Sequence, residues 1–353
     1  MLARVWARGV ARRLGPRLAV IVAVLWWLRR RAALAYRRKR LAWVAQTKEQ
    51  QRWRDSKRRA DSVADPVARA GTDPDPHAGA DAGPHGHNDA RRPSICFQGA
   101  GCMVIYHVGV ARYVEQHFEL AEARIYGASA GAIVAASLAV GLDLGPRGFV
   151  AQQSVAMAAK CRTPPFGPLF SIMGEVERAL LAVLHTVLDG DEDVRQRCNG
   201  RLFISLTHLP TLGQRLLSHF PSREALATAV ACSMNLPIFL CPLQRVEGEY
   251  YIDGGITDNS PRHCGSGDAA NAATVCVSPT DPNAHVRPLP GQEASLLCFI
   301  VPGDAVQQGR LERQGWEDAR RQHHVFLRNG WLPKVQSSAV RGQDTDTADW
   351  EAL

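Results

Sequence analysis

The sequence predicts an α/β layered domain over residues 93–331. Three observations carry that expectation. Short β-like runs alternate with helical stretches along this part of the chain. A GxSxG pentapeptide, Gly127-Ala128-Ser129-Ala130-Gly131, stands between a strand-like run and an apolar helix. A glycine turn, Gly99-Ala100-Gly101-Cys102, leaves another strand-like run and enters a helix. The expected strands are Ser94–Gln98, Arg124–Gly127, Leu202–Thr207, Arg215–Phe220, Glu249–Asp253, Ala273–Ser278 and Leu296–Val301. The expected helices are Met103–Phe118, Ala130–Val140, Arg147–Lys160, Met173–Leu188, Ser222–Cys232 and Asp304–Asn329, with Ser222 as the N-cap of the fifth.

Composition narrows the class. A chain of 353 residues, 46% hydrophobic and 22% charged, holds one sizeable globular domain with appendages. That excludes a disordered, collagenous or multi-pass membrane protein. The nine cysteines are odd in number, scattered and never spaced CxxC, which argues for reduced thiols in a cytosol-facing compartment and against a zinc site. The net charge of +8 belongs to one end of the chain. Thirteen of the 42 Lys/Arg lie in residues 1–48, where there is no acid; the other 29 face 34 Asp/Glu, leaving residues 49–353 at −5. A nucleic-acid-binding domain would carry its basic charge on the fold, so no nucleic-acid partner is expected.

Three segments flank or precede the domain. Residues 1–60 form a basic, Trp-rich head, with an eleven-residue apolar run Leu18–Leu28 bracketed by Arg17 and Arg29-Arg30-Arg31. A bilayer span needs roughly 20 apolar residues, so this run is short for one. Five of the eight tryptophans lie in the head, where amphipathic rings suit the headgroup layer and Arg/Lys attract anionic lipid. The head is therefore expected to be a helical segment lying on a membrane. An alternative is an import presequence for a mitochondrion or plastid in the Arg-rich, acid-free Met1–Gly15, although the first serine is Ser56 and such peptides are Ser-rich. Residues 61–92 read as a flexible linker rich in Ala, Asp, Gly and Pro, and residues 332–353 as a polar tail.

Within the domain three signals carry chemistry. In the pentapeptide, small residues on both sides of Ser129 permit a sharp strand-to-helix turn that tips the hydroxyl outward. Glycine and alanine are common enough here to produce GxSxG by chance, so the strand–turn–helix setting is what gives it weight. At Gly99, Gly101 and Cys102, backbone N–H groups can converge beside a helix start, as a developing oxyanion requires. No Gly-Lys-Ser/Thr follows, and Val104 stands where a GxGxxG fingerprint wants its third glycine, so a dinucleotide or phosphate loop is disfavoured. In Tyr250-Tyr251-Ile252-Asp253-Gly254-Gly255, a carboxylate closes a β-like run, where sites in α/β sheets gather.

Taken in order, these motifs resemble the patatin-like phospholipase domain family, in the animal-type branch that contains adipose triglyceride lipase and adiponutrin. Five blocks carry the resemblance: CFQGAGCMVIYHVGVA (96–111), IYGASAGAIVAASLAVG (125–141), ISLTHLP with LLSHFPSREAL (204–226), YYIDGGITDNSP (250–261) and GWEDARRQHHVFLRNGWL (315–332). The resemblance implies a three-layer α/β/α fold with a mostly parallel central sheet. It also implies a catalytic dyad, with Ser129 as nucleophile and Asp253 as general base. Gly99, Gly101 and Cys102 would form the oxyanion hole, and Gly127, Gly131, Gly254 and Gly255 complete the motifs. Neither cofactor nor metal is implied. The activity implied is acylglycerol hydrolysis by a serine lipase at a membrane or lipid-droplet surface, on the endoplasmic reticulum or a droplet. Phospholipid hydrolysis, acyl transfer between glycerides and a weakly active lipid-bound regulator are the alternatives, and a protein co-activator stays open as a partner. Val104 departs from the family pattern.

A rival enzyme class is the α/β-hydrolase with a Ser-Asp-His triad. His263, His285, His323 and His324 follow Ser129 and Asp253 in the required order, though none has a recognisable setting.

Overall fold

The structure, a computed structural model, describes residues 92–161, 172–209, 211–236, 243–261, 274–293, 298 and 302–335. The head, most of the linker and most of the tail lie outside the described residues. So does the membrane-lying helix expected in the head. Among the described residues no helix is long and apolar enough to cross a membrane.

In chain order the domain runs β1 (Ser94–Phe97), α1 (Val104–His117), β2 (Arg124–Gly127), α2 (Ala130–Val140), α3 (Phe149–Cys161), α4 (Ile172–Val187), α5 (Asp191–Cys198), β3 (Leu202–Leu209) and β4 (Gln214–Leu217). It continues through α6 (Arg223–Ser233), β5 (Gln244–Val246), β6 (Glu249–Asp253), β7 (Thr274–Val277), α7 (Ala305–Arg321) and α8 (His323–Arg328). One sheet holds all seven strands, in the order β5-β6-β3-β2-β1-β7 with β4 also paired to β3. β7, β1, β2 and β3 are parallel, and β4, β5 and β6 join antiparallel. β1, β2 and β7 are buried along their whole length, as parallel strands covered on both faces must be.

The register of β3 decides where the site forms. Ile204 pairs with Gly127 of β2 and Leu217 of β4 at once, so those two strands lie on opposite edges of β3. Leu206 pairs with both Arg215 of β4 and Asp253 of β6, so these are opposite too. β2 and β6 therefore follow one another along the same edge of β3. They run in opposite directions, and their C-terminal residues, Gly127 and Asp253, meet end to end. Two motifs more than 120 residues apart are brought together by backbone register alone.

α2 is apolar all round because it is buried all round; it packs on β1, β2 and β3 and stops at Gly141, whose φ of 76° is left-handed. α7 packs along α1 at close range. A Cβ on Gly109 would overlap the Glu312 carbonyl oxygen, and one on Gly315 the Tyr106 carbonyl oxygen. Buried polar pairs cross the same contact: Arg112 with Glu312, and the Tyr106 hydroxyl donating to Asp318 at 2.8 Å. This clamps the helix that follows the glycine turn.

Three expectations need correction. β4 ends at Leu217 rather than Phe220, because the next backbone groups leave the ladder for the α5–β3 turn: the Ser218 carbonyl accepts from Gly200, and the Phe220 N–H donates to Asn199. The last long helix breaks at Gln322 into α7 and α8, which brings His323, Phe326 and Trp331 against Phe118. The strand expected at Leu296–Val301 has one described residue, Cys298, and its backbone is helical.

Candidate active site

Ser129 occupies a strained turn. Its φ of 51° and ψ of −129° lie outside the usual regions for an L-residue, a cost of about 1–3 kcal/mol. It stands at the N-cap of α2, yet its side chain makes no capping bond. The turn is sharp because nothing protrudes inside it: a Cβ on Gly131 would overlap the Phe97 carbonyl, and one on Gly127 would lie 2.6 Å from the Ala132 Cα. The Phe97 carbonyl also accepts the Ala128 N–H at 3.1 Å, so the end of β1 plugs the turn. Ser233 holds it from the other side, accepting the Ser129 N–H at 3.0 Å and donating to the Ser205 carbonyl of β3 at 2.8 Å.

The freed hydroxyl donates to Asp253 Oδ2 at 2.6 Å. Asp253 Oδ1 accepts the Gly255 N–H at 2.8 Å, so one carboxylate oxygen anchors the group and the other faces Ser129. The backbone of Asp253 is held as firmly. Its N–H donates to the Asn235 carbonyl at 3.1 Å, and its carbonyl accepts from Thr207 Oγ1 at 2.7 Å. Gly254 lies so close to β3 that a Cβ there would overlap the Ser205 carbonyl oxygen. Asp253 is 1% exposed and Ser129 8%. Burial lifts the Asp253 carboxyl from 3.8 to about 6, while the hydrogen bonds from Ser129 and Gly255 pull the other way.

The glycine loop arrives beside this pair. Ala100 precedes a short 3-10 turn, Gly101–Met103, that runs straight into α1, and Gly101 has a φ of 53°. Of the three residues expected to face an oxyanion, Gly99 has its N–H committed elsewhere: it donates to Asn259 Oδ1 at 2.9 Å. Gly101 and Cys102 open the 3-10 turn, where the first N–H groups of a helix lie. Val104 is right-handed helical (φ −50°, ψ −30°), a conformation that does not call for glycine.

The histidines of the rival triad stand apart. His285 Nδ1 accepts from the Cys276 N–H, and the His323 ring bonds the Tyr113 hydroxyl. His263 lies outside the described residues. No imidazole intervenes between Ser129 and Asp253, which bond directly. Thr207, Ser233, Asn235 and Asn259 were not singled out from the sequence. Their signal was position: Asn259 falls six residues after Asp253, Thr207 lies within β3, and Ser233 and Asn235 lie at and just past the end of α6.

Residues 95–263 match the family described as Patatin-like phospholipase. The chain carries a patatin-like phospholipase domain. It is 36% identical over 261 residues to "Patatin-like phospholipase domain-containing protein 2" of Mus musculus, covering 68% of this chain and 51% of that protein. It is 29% identical over 257 residues to a protein of Mus musculus named as a 1-acylglycerol-3-phosphate O-acyltransferase, covering 67% of this chain and 60% of that one. An omega-hydroxyceramide transacylase of Mus musculus is 30% identical over 174 residues, 48% of this chain and 28% of its own. The chain spans about half the length of the first relatives it matches. Among solved structures, VipD from Legionella pneumophila gives a TM-score of 0.38 at 12% identity over 67% of each chain, too low for comparison in detail.

Proposed function

We propose that this domain is a serine lipid acyl hydrolase that takes triacylglycerol or another acylglycerol as substrate. The observation that carries the proposal is the 2.6 Å hydrogen bond from a strained, helix-terminal Ser129 to a buried Asp253. In the first half-reaction Ser129 Oγ attacks the ester carbonyl carbon and its proton passes to Asp253 Oδ2. The carbonyl oxygen becomes an oxyanion, and the backbone N–H groups of Gly101 and Cys102 are its proposed donors. Collapse of the tetrahedral intermediate breaks the ester C–O bond. Asp253 returns the proton to the departing alcohol, and an acyl group is left on Ser129. In the second half water takes the place of Ser129 as nucleophile, Asp253 accepts its proton, and collapse releases a fatty acid and restores the serine. With a carboxyl near 6, Asp253 is mostly ionised at pH 7 yet more basic than an exposed aspartate, as a base acting directly on a hydroxyl needs to be.

Acyl transfer is the second reading. It is favoured by relatives whose names describe transfer of an acyl group. The same acyl-enzyme serves both, with a glyceride hydroxyl replacing water. The basic, Trp-rich residues 1–60 are proposed to bring the domain to a cytosol-facing membrane or droplet surface, and their removal should detach the protein.

The test is to incubate full-length protein with a fluorophosphonate probe and with emulsified triacylglycerol, comparing wild type, Ser129→Ala and Asp253→Asn. Labelling and fatty-acid release that disappear in both variants are expected. Labelling without fatty-acid release, with the acyl group instead recovered as a new ester on an added acceptor glyceride, assigns acyl transfer. Wild-type protein that neither labels nor releases fatty acid would refute the proposal.

A further inference from the structure

Beyond Ser129 and Asp253, one residue ties the two halves of the site together. The segment after the Asp253 turn is laced to the end of β1 at two adjacent points. Asn259 Oδ1 accepts the Gly99 N–H at 2.9 Å, and the Gln98 side-chain amide donates to Ser260 Oγ at 3.1 Å. The same segment is held back to β3, since Ser205 Oγ donates to the Asp258 carbonyl at 3.1 Å. Asn259 itself is exposed, so packing does not hold it there. Because Gly99 can only donate, the amide must present its oxygen to the loop.

The space around this oxygen is tight and shared. A Cβ on Gly99 would overlap Asn259 Oδ1 and lie 3.1 Å from the Ser129 Cβ. A Cβ on Gly255 would lie 2.7 Å from Asn259 Oδ1 and 3.1 Å from Asp253 Oδ1. The Asn259 oxygen thus sits between two glycines, one beside the nucleophile and one beside the base. Neither glycine could be any other residue without displacing it.

We propose that Asn259 is a positioning residue: it tethers the glycine loop to the base-bearing turn, withdraws Gly99 from the donor set, and so fixes where Gly101 and Cys102 stand relative to Ser129. The role rests on the acyl-enzyme chemistry proposed above. The tether acts on the transition state, in which charge develops on the oxyanion, and hardly on the ground state. Its loss should therefore lower kcat and leave KM nearly unchanged.

The experiment compares Asn259→Ala and Asn259→Asp with wild type in the full chain. Asn259→Ala is expected to keep its melting temperature, lose about tenfold or more in kcat, and hold KM within about twofold. Asn259→Asp retains an acceptor for Gly99 and adds a negative charge near Asp253. Most of the kcat should return, with the acid limb of the pH–rate profile moved upward from that of wild type. Asp258, engaged with Gln214 and the Ser260 N–H, and Asp281, bonded by Gln98, are the other acids on these segments; neither is altered. Amide exchange at Gly99 supplies a readout independent of turnover: protected in wild type and Asn259→Asp, fast in Asn259→Ala. Unchanged kcat in Asn259→Ala, or equal loss in both variants with an unmoved acid limb, would overturn the tether. Normal protection of Gly99 in a wild type without any esterase activity would instead refute the proposed chemistry and leave the tether standing.

Discussion

The two halves of the site are built by opposite means. The elbow that carries Ser129 is made by exclusion: Gly127, Ala128, Ala130 and Gly131 leave no side chain in the way, and the end of β1 fills the space. The turn that carries Asp253 is made by attachment. Thr207, Asn235 and Gly255 each hold a different atom of the aspartate, and Asn259 reaches across from the following segment. The first fails on added volume; the second fails on lost polarity as well, since Gly254 leaves no more room against β3 than Gly131 does against β1. Ser129 is held in a strained turn and Asp253 by satisfied polar groups in a buried setting.

The largest effect separates chemistry from construction. Ser129→Ala and Asp253→Asn should each lower kcat by about a thousandfold or more while the protein stays folded, as steady-state kinetics beside circular dichroism would reveal. Next comes the elbow. Gly131→Ala places a methyl group on the Phe97 carbonyl and should cost about 3 kcal/mol or more in denaturant melts, with activity lost through unfolding.

Asp253→Asn then tests the buried charge by pH. The carboxyl is raised above its unfolded value, so its contribution to stability is fully present below about pH 3.8 and lost as pH rises through about 6. The variant should therefore melt higher than wild type at pH 8, by up to about 3 kcal/mol, and the advantage should vanish by pH 4. An equal difference at both pH values would contradict a buried, ionised Asp253. The smallest effect is at the attachment. Thr207→Val leaves the Asp253 carbonyl short of one donor and should cost about 1–2 kcal/mol, with a severalfold fall in kcat at unchanged KM.

Much of the architecture was legible in the sequence because local chemistry determined it. β2 and α2 fall at Arg124–Gly127 and Ala130–Val140, and β6 at Glu249–Asp253, as expected, since glycines and an apolar periodicity bound them. α5 was not anticipated. Its segment DEDVRQRC is short and polar, buries only Val194 and Cys198, and shows its helical character mainly in acids at the start and arginines at the end. β5, three residues long, pairs among the described residues with β6 alone and has no pattern of its own to read. The break at Gln322 was hidden because α7 and α8 are both helical and the aromatic cluster that separates them is assembled from distant residues. At the site, the motif residues were visible individually. Their end-to-end meeting follows from the ladder pairs of β3, and the commitment of the Gly99 N–H to Asn259 spans 160 positions, beyond any local signal.

The central claim is that Ser129 is activated by Asp253 directly. It is tested most plainly by the pH dependence of fluorophosphonate labelling in wild type and in single substitutions of His263, His285, His323 and His324. If Asp253 is the base, labelling has one acid limb near pH 6, unmoved by any histidine substitution that leaves the protein folded. Loss of the limb, or of labelling itself, in one folded histidine variant would contradict it.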